Sequence, residues 1–159
     1  MKHNDVQKIA FGGVIAALYV VLTFVAAAFG LASGAIQVRL SEALTILPVF
    51  SAAAVPGLTV GCVLANLLTG CAAWDVVFGS LATLIGAAGT RLLKNRPFLA
   101  WIPPVISNAA IVPIVLQKVY GVPDAWWYLV LTVGAGELIS CGLLGLLLYR
   151  AASRMPRLK

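Results

Sequence analysis

The sequence predicts an all-α membrane protein of six transmembrane helices with N and C termini on the cytoplasmic side, and three observations lead there. Hydrophobic residues make up 62% of the 159-residue chain and charged residues only 10%, with a mean hydropathy of +1.03. A soluble domain of this length has too much surface to carry so few charges. Six apolar runs of roughly 20 residues with short connections use nearly the whole chain, so residues 1–159 read as one membrane domain. The basic residues gather at the ends of those runs. With six crossings, Lys2, Lys8, Arg91, Lys94, Arg96, Arg150, Arg154, Arg157 and Lys159 fall on one side, and only Arg39 and Lys118 on the other. That asymmetry marks the first side as cytoplasmic. Five or seven crossings would split the basic ends across the membrane.

Helix 1 is expected from about Val6 to Phe29, ending in the glycine-rich stretch Gly30-Leu31-Ala32-Ser33-Gly34. Helix 2 begins near Arg39 and stops at Ala54, before the turn signal Pro56-Gly57. Helix 3 covers about Leu58 to Thr69 and ends at Gly70. Helices 2 and 3 are too short to cross about 30 Å of hydrocarbon untilted, so neighbours must shield them. Helix 4 starts beside Trp74-Asp75 and ends at Arg91 to Lys94. Helix 5 follows Pro97 and carries Pro103-Pro104 and Pro113, which should kink or break it. Helix 6 spans about Ala125 to Tyr149. The first run is followed by five more and its flanking charges suit a retained helix, so no cleaved leader is expected. Trp101, Trp126 and Trp127 fall near the expected interfaces and read as belt anchors.

Several chemistries are set aside by composition. The net charge of +6 lies at helix ends rather than on one face, so the membrane explains it without nucleic acid. Cys62, Cys71 and Cys141 have no CxxC spacing, and His3 is the lone histidine, so neither a metal site nor a cofactor is expected. The cysteines read as small apolar packing residues.

The five acidic residues carry more information. Asp5 and Asp124 lie in end segments and read as solvated. Glu42, Asp75 and Glu137 sit in or beside apolar helices, where a carboxylate is costly and faces a cavity or a partner. Glu137 lies deep in helix 6, within Val133-Gly134-Ala135-Gly136-Glu137-Leu138, whose small residues leave room beside it; its alternative is a structural hydrogen bond to another helix. Arg39 and Glu42, three apart, either pair with each other or join Gln37 at an outer mouth. Asn66, Trp74 and Asp75 belong to the same outer end, with Asn108 and Glu137 near mid-depth. Polar groups from several helices therefore converge on a pocket open to the outside. On the cytoplasmic half of helix 1, Gly12 with Ala16 and Gly13 with Ala17 form two small-xxx-small pairs. These suit close helix packing, within the chain or against a partner.

Three stretches carry a family resemblance. Gln37-Val38-Arg39-Leu40-Ser41-Glu42-Ala43-Leu44-Thr45-Ile46-Leu47-Pro48 resembles a signature of the QueT family of queuosine-precursor transporters. So do Gly61-Cys62-Val63-Leu64-Ala65-Asn66-Leu67-Leu68-Thr69-Gly70 and Trp74-Asp75-Val76-Val77-Phe78-Gly79-Ser80-Leu81-Ala82-Thr83. These are substrate-binding S components of energy-coupling factor (ECF) importers. The resemblance implies a six-helix fold in the bacterial cell membrane that captures its ligand at the outer face. It also implies a complex with one transmembrane T subunit and two ATPases, which would be the users of ATP. S components often set an AxxxA motif of helix 1 against the T subunit; here either candidate pair begins with glycine. A 7-deazaguanine ring offers adjacent N–H donors that one carboxylate accepts bidentately. An aminomethyl substituent would match a second carboxylate, and the ring face suits Trp74.

Two other functions compete. A self-sufficient secondary transporter or channel for a small polar solute also lacks an ATP motif, but the chain shows no internal repeat of the kind such carriers use. A membrane enzyme would need a nucleophile with its base, or a metal cluster, and neither is evident.

Overall fold

The structure, a computed structural model, describes residues 3–31 and 36–155, without the side chains of His3 and Asn4. Lys2, Arg157 and Lys159 of the charge count, and Ala32, Ser33 and Gly34 of the first connection, lie outside the described residues. Every element described is helical. In order they are α1 (His3–Ala28), a 3-10 helix (Leu40–Val49), α2 (Ala54–Leu68), α3 (Ala73–Leu92) and a 3-10 turn (Pro97–Leu99). There follow α4 (Ile102–Lys118), α5 (Trp126–Glu137), a π-helical segment (Leu138–Leu144) and α6 (Gly145–Ser153). Four stretches are long and apolar enough to cross a bilayer: Asp5–Ala28, Ala73–Leu92, Pro97–Lys118 and Trp126–Ser153. Leu40–Val49 and Ala54–Leu68 are shorter apolar helices, as the sequence led one to expect.

The short segment Leu40–Val49 lies at the centre, against α1, α2, α3, the π segment and α6. Ser41, Glu42, Leu44, Thr45, Ile46, Leu47 and Pro48 are all buried, the pattern of a helix enclosed on every side. Ten residues of 3-10 helix reach about 20 Å, roughly a third further than the same residues wound as α-helix. Such runs are rarely this long, so neighbours must hold it. Thr45 Oγ1 donates to the Glu42 carbonyl at 2.6 Å. At the far end Arg91 Nη1 donates to the carbonyls of Pro48 at 3.0 Å and Val49 at 3.3 Å. Arg91, counted above only as an orientation charge, thus caps the central helix.

Proline placement corrects one expected boundary and accounts for an expected break. Pro56-Gly57 does not make a turn; it sits in the first turn of α2, where the proline lacks only an N–H that would have had no helical partner. The helix therefore begins four residues earlier than expected. Pro103 and Pro104 likewise open α4 after a break at Ala100-Trp101, while Pro113 lies inside it. The last rod runs from Trp126 to Ser153, but its middle is wound as π-helix.

Helices α1 and α2 approach closely. A Cβ on Gly57 would stand 2.6 Å from the Gly12 carbonyl oxygen, and one on Gly61 3.0 Å from Ala16 Cα. Gly12 and Ala16 are therefore spent on packing against α2, which removes that pair from any partner surface. A Cβ on Gly13 would meet nothing within 4 Å, and Gly13 and Ala17 are both exposed. Around this core the outward faces remain apolar, with Val14, Leu18, Val21, Leu64, Ile85, Leu131 and Leu147 all exposed. Trp126 and Trp127 are exposed among them.

Candidate functional site

The site forms where α1, α2, α3, α4 and the 37–39 segment meet above the central helix. At the end of α2, Gly70 takes φ of 74°, a conformation that suits a residue without Cβ. Cys71 N donates to the Asn66 carbonyl at 3.0 Å and Gly70 N to that of Leu67 at 3.2 Å, a Schellman ending. This closure turns Asn66, Thr69 and Cys71 toward the start of α3, where Asp75 stands. Asn66 Nδ2 donates to the Asp75 carbonyl at 3.5 Å. The Asp75 carboxylate accepts from Tyr120 Oη at 3.0 Å, and that hydroxyl accepts from Ala72 N at 3.1 Å. Partial burial pushes the Tyr120 phenol up, and the Asp75 charge adds to the effect, so it stays a donor. Tyr120 ties the end of α4 to the α2–α3 turn.

The opposite wall is the extended segment 37–39. It lies directly on α5: a Cβ on Gly136 would be 2.1 Å from the Gln37 carbonyl oxygen. Arg39 N donates to Ser140 Oγ at 3.1 Å, and Ser140 Oγ donates to the Gly136 carbonyl at 2.9 Å. The space that small residues leave beside Glu137 is thus taken by this chain's own backbone. Between the two walls is a cavity of about 430 Å³ lined by Tyr19, Thr23, Gln37, Arg39, Ser41, Asn66, Thr69, Cys71, Asp75 and Tyr120, with a few apolar residues.

Glu42, Glu137 and Asn108 do not line it. They lie beneath its floor of Tyr19, Arg39 and Ser41, each almost fully buried. Tyr19 Oη donates to Glu42 Oε1, and Thr83 Oγ1 donates to the same oxygen at 3.4 Å. Cys141 Sγ donates to Glu137 Oε2 at 3.2 Å. One oxygen of each glutamate and Cys141 Sγ lie within 4.8 Å of one another. Asn108 stands beside both carboxylates, near enough to act on each. Glu42 Oε2 and both amide atoms of Asn108 are nonetheless buried without a hydrogen-bond partner among the described residues. Buried polar atoms are almost always paired, so an orphaned acceptor beside an orphaned donor and acceptor calls for an explanation.

A family model described as QueT transporter matches residues 9–154. The chain belongs to the QueT transporter family. It is 35% identical over 97 residues to the curated "Queuosine precursor transporter QueT" of Lactococcus lactis subsp. cremoris. That alignment takes in 60% of this chain and 56% of the relative, so the chain spans little more than half of the relative's length in the match. No solved structure matches. The family match encloses both the cavity and the glutamate pair beneath it.

Of the residues singled out from sequence, Gln37, Arg39, Asn66 and Asp75 line one cavity, and Glu42, Asn108 and Glu137 form one buried cluster below it. Trp74 joins neither. It is 60% exposed, stacks on Phe78 at 5.8 Å between ring centroids, and lines an outer groove between α3 and α4. Its helical phase explains this, because Asp75 next to it already occupies the inward face of α3. Sequence reasoning passed over Tyr19, Thr23 and Tyr120. The first two are a helix turn apart on an otherwise apolar helix, a spacing that could have marked them; Tyr120 beside Gly121 carried no such signal.

Proposed function

We propose that this chain is the substrate-capture component of an ECF-type importer and binds a queuosine precursor from the outside. The observation that carries the reading is the unpaired hydrogen-bonding set of Glu42 Oε2 and Asn108 next to the Glu137 carboxylate. A 7-deazaguanine base offers two adjacent N–H donors for a carboxylate and a carbonyl for an amide N–H, which would satisfy Glu42 Oε2 and the Asn108 N–H together. Charge-assisted pairs of this kind are the stronger hydrogen bonds. Asp75, partly engaged by Tyr120, is the natural match for an aminomethyl cation on the same ring.

In this reading the chain crosses the bacterial cell membrane six times with both termini cytoplasmic, and needs no metal or cofactor of its own. It would assemble with a T subunit and two ATPases through the exposed Gly13–Ala17 face of α1, and ligand entry would require the Tyr19 floor to yield. Losing one charge-assisted hydrogen bond costs on the order of 1.5–3 kcal/mol. Glu137→Gln should therefore weaken binding of a 7-deazaguanine base about tenfold or more in a calorimetric titration, with folding preserved. Unchanged affinity would remove Glu137 from the site, and no binding by the unaltered protein would sink the ligand assignment. Copurification with a T subunit and paired ATPases tests the complex; uptake that persists without them would favour a self-sufficient carrier.

A further inference from the structure

Helices α3 and α4 pack tightly at one end. A Cβ on Gly86 would stand 2.7 Å from Pro104 Cα, and one on Gly89 2.5 Å from Pro103 Cβ, so small residues bring the two helices close there. Toward the start of α3 and the end of α4 bulky side chains take over, and a groove of about 580 Å³ opens between the helices. Trp74, Phe78 and Leu81 form one wall, and Ile111, Ile114 and Lys118 the other, each set spaced as a single helical stripe. All but Ile111 are exposed. The Lys118 side chain has no ion pair or hydrogen bond among the described residues.

We infer that this groove seats an acyl chain of an anionic phospholipid whose phosphate lies on the Lys118 ammonium. Depth argues for a lipid over a helix of another protein. Trp74 to Leu81 is seven residues, about 10 Å of helical rise, whereas half of a hydrocarbon layer about 30 Å thick is about 15 Å. The groove therefore starts at one interface, the level that suits Trp74, and ends within the same leaflet. A partner helix would need a seam through both leaflets, lined by small residues that admit its backbone. Charge argues for an anionic headgroup. A lysine at a helix end lays its stem along apolar surface and presents its ammonium at the headgroup level, where anionic lipid is attracted to it. With six crossings, Arg39 and Lys118 are the two basic residues on the outer side. Arg39 lines the cavity, so Lys118 is the one left to face lipid there.

The test is native mass spectrometry of the full chain, released from bilayer discs holding equal amounts of phosphatidylglycerol and phosphatidylcholine. The unaltered protein should retain one phosphatidylglycerol in preference to phosphatidylcholine. Lys118→Gln, at an exposed position, should lower that retention about fivefold, the factor that roughly one interfacial charge supplies. Lys94→Gln, at the other end of α3, should leave it within twofold. Ile114→Trp, which fills the groove, should release the lipid, with an unchanged melting temperature certifying the fold; if it melts lower, Lys118→Gln decides alone. Equal retention of the two lipids, or full retention of phosphatidylglycerol by Lys118→Gln, overturns the proposal. So does a dimer that Ile114→Trp disperses, because the groove would then hold a second copy of the chain. None of these outcomes depends on which solute the cavity binds.

Discussion

Replacing Gly136 with alanine tests how the outer wall of the site is held. The added Cβ would lie 2.1 Å from the Gln37 carbonyl oxygen, 3.0 Å from its carbon and 3.5 Å from its nitrogen. These are backbone atoms, so no rotamer can relieve the contact, and the segment must retreat by more than an ångström. Overpacking of this kind costs about 1–3 kcal/mol. The retreat also strains the bond from Arg39 N to Ser140 Oγ, worth about 1 kcal/mol. For a chain of this size each kcal/mol lowers the melting midpoint by about 2–4 °C, so a loss on the order of 5–10 °C is expected. Gly134→Ala is the control two residues away, since its Cβ would meet only Ala109 Cβ at 3.9 Å. Alanine there should be neutral or stabilise by up to about 1 kcal/mol, through its better helix propensity. Thermal unfolding of both variants in detergent, followed by titration with a 7-deazaguanine base, reads the two effects. Gly136→Ala should melt lower and bind more weakly, because Gln37 and Arg39 move with the segment. If the two variants melt within a degree or two of each other, the segment is not seated on Gly136 and the wall has been misjudged.

Two further outcomes follow from the same geometry. Asp75→Asn should weaken an aminomethyl base more than an uncharged analogue, whereas equal losses would make Asp75 a structural partner of Tyr120. Gly13→Leu and Ala17→Leu should abolish ATP-dependent uptake with ligand affinity intact, whereas Gly12→Leu should destabilise the protein, because a side chain there runs into α2. Intact uptake in Gly13→Leu and Ala17→Leu would show that the exposed pair touches no partner.

The long helices were legible because their apolar runs are continuous and end at charges, and the site was legible in its parts because carboxylates are conspicuous among apolar residues. What the sequence could not supply was depth and direction. Glu42 and Asp75 look equivalent on paper, yet one is sealed under Tyr19 and the other opens on the cavity. Trp74 and Asp75 are adjacent, and a single residue step around the helix sends one outward and the other inward. The boundary at Pro56 was misjudged for a related reason. A proline marks either a break or a helix start, and only the packing of Gly57 on Gly12 selects the second. In the same way, two small-residue pairs on α1 were indistinguishable until α2 covered one of them.

The π-helical stretch from Leu138 to Leu144 has its own consequence for the last rod. A π turn holds one residue more than an α turn closed at the same height, so side chains above and below it are out of phase by about 100° relative to an unbroken α-helix. In an unbroken α-helix residues eleven apart lie within about 20° of one another, so the bulge turns Glu137, in the buried cluster, away from the face that Leu148 sets against the hydrophobic core. The rod behaves as two short helices with independently set rotations, coupled like shafts joined at a fixed angle. The far half is anchored separately, by Tyr149, whose ring lies 5.4 Å from that of Phe50.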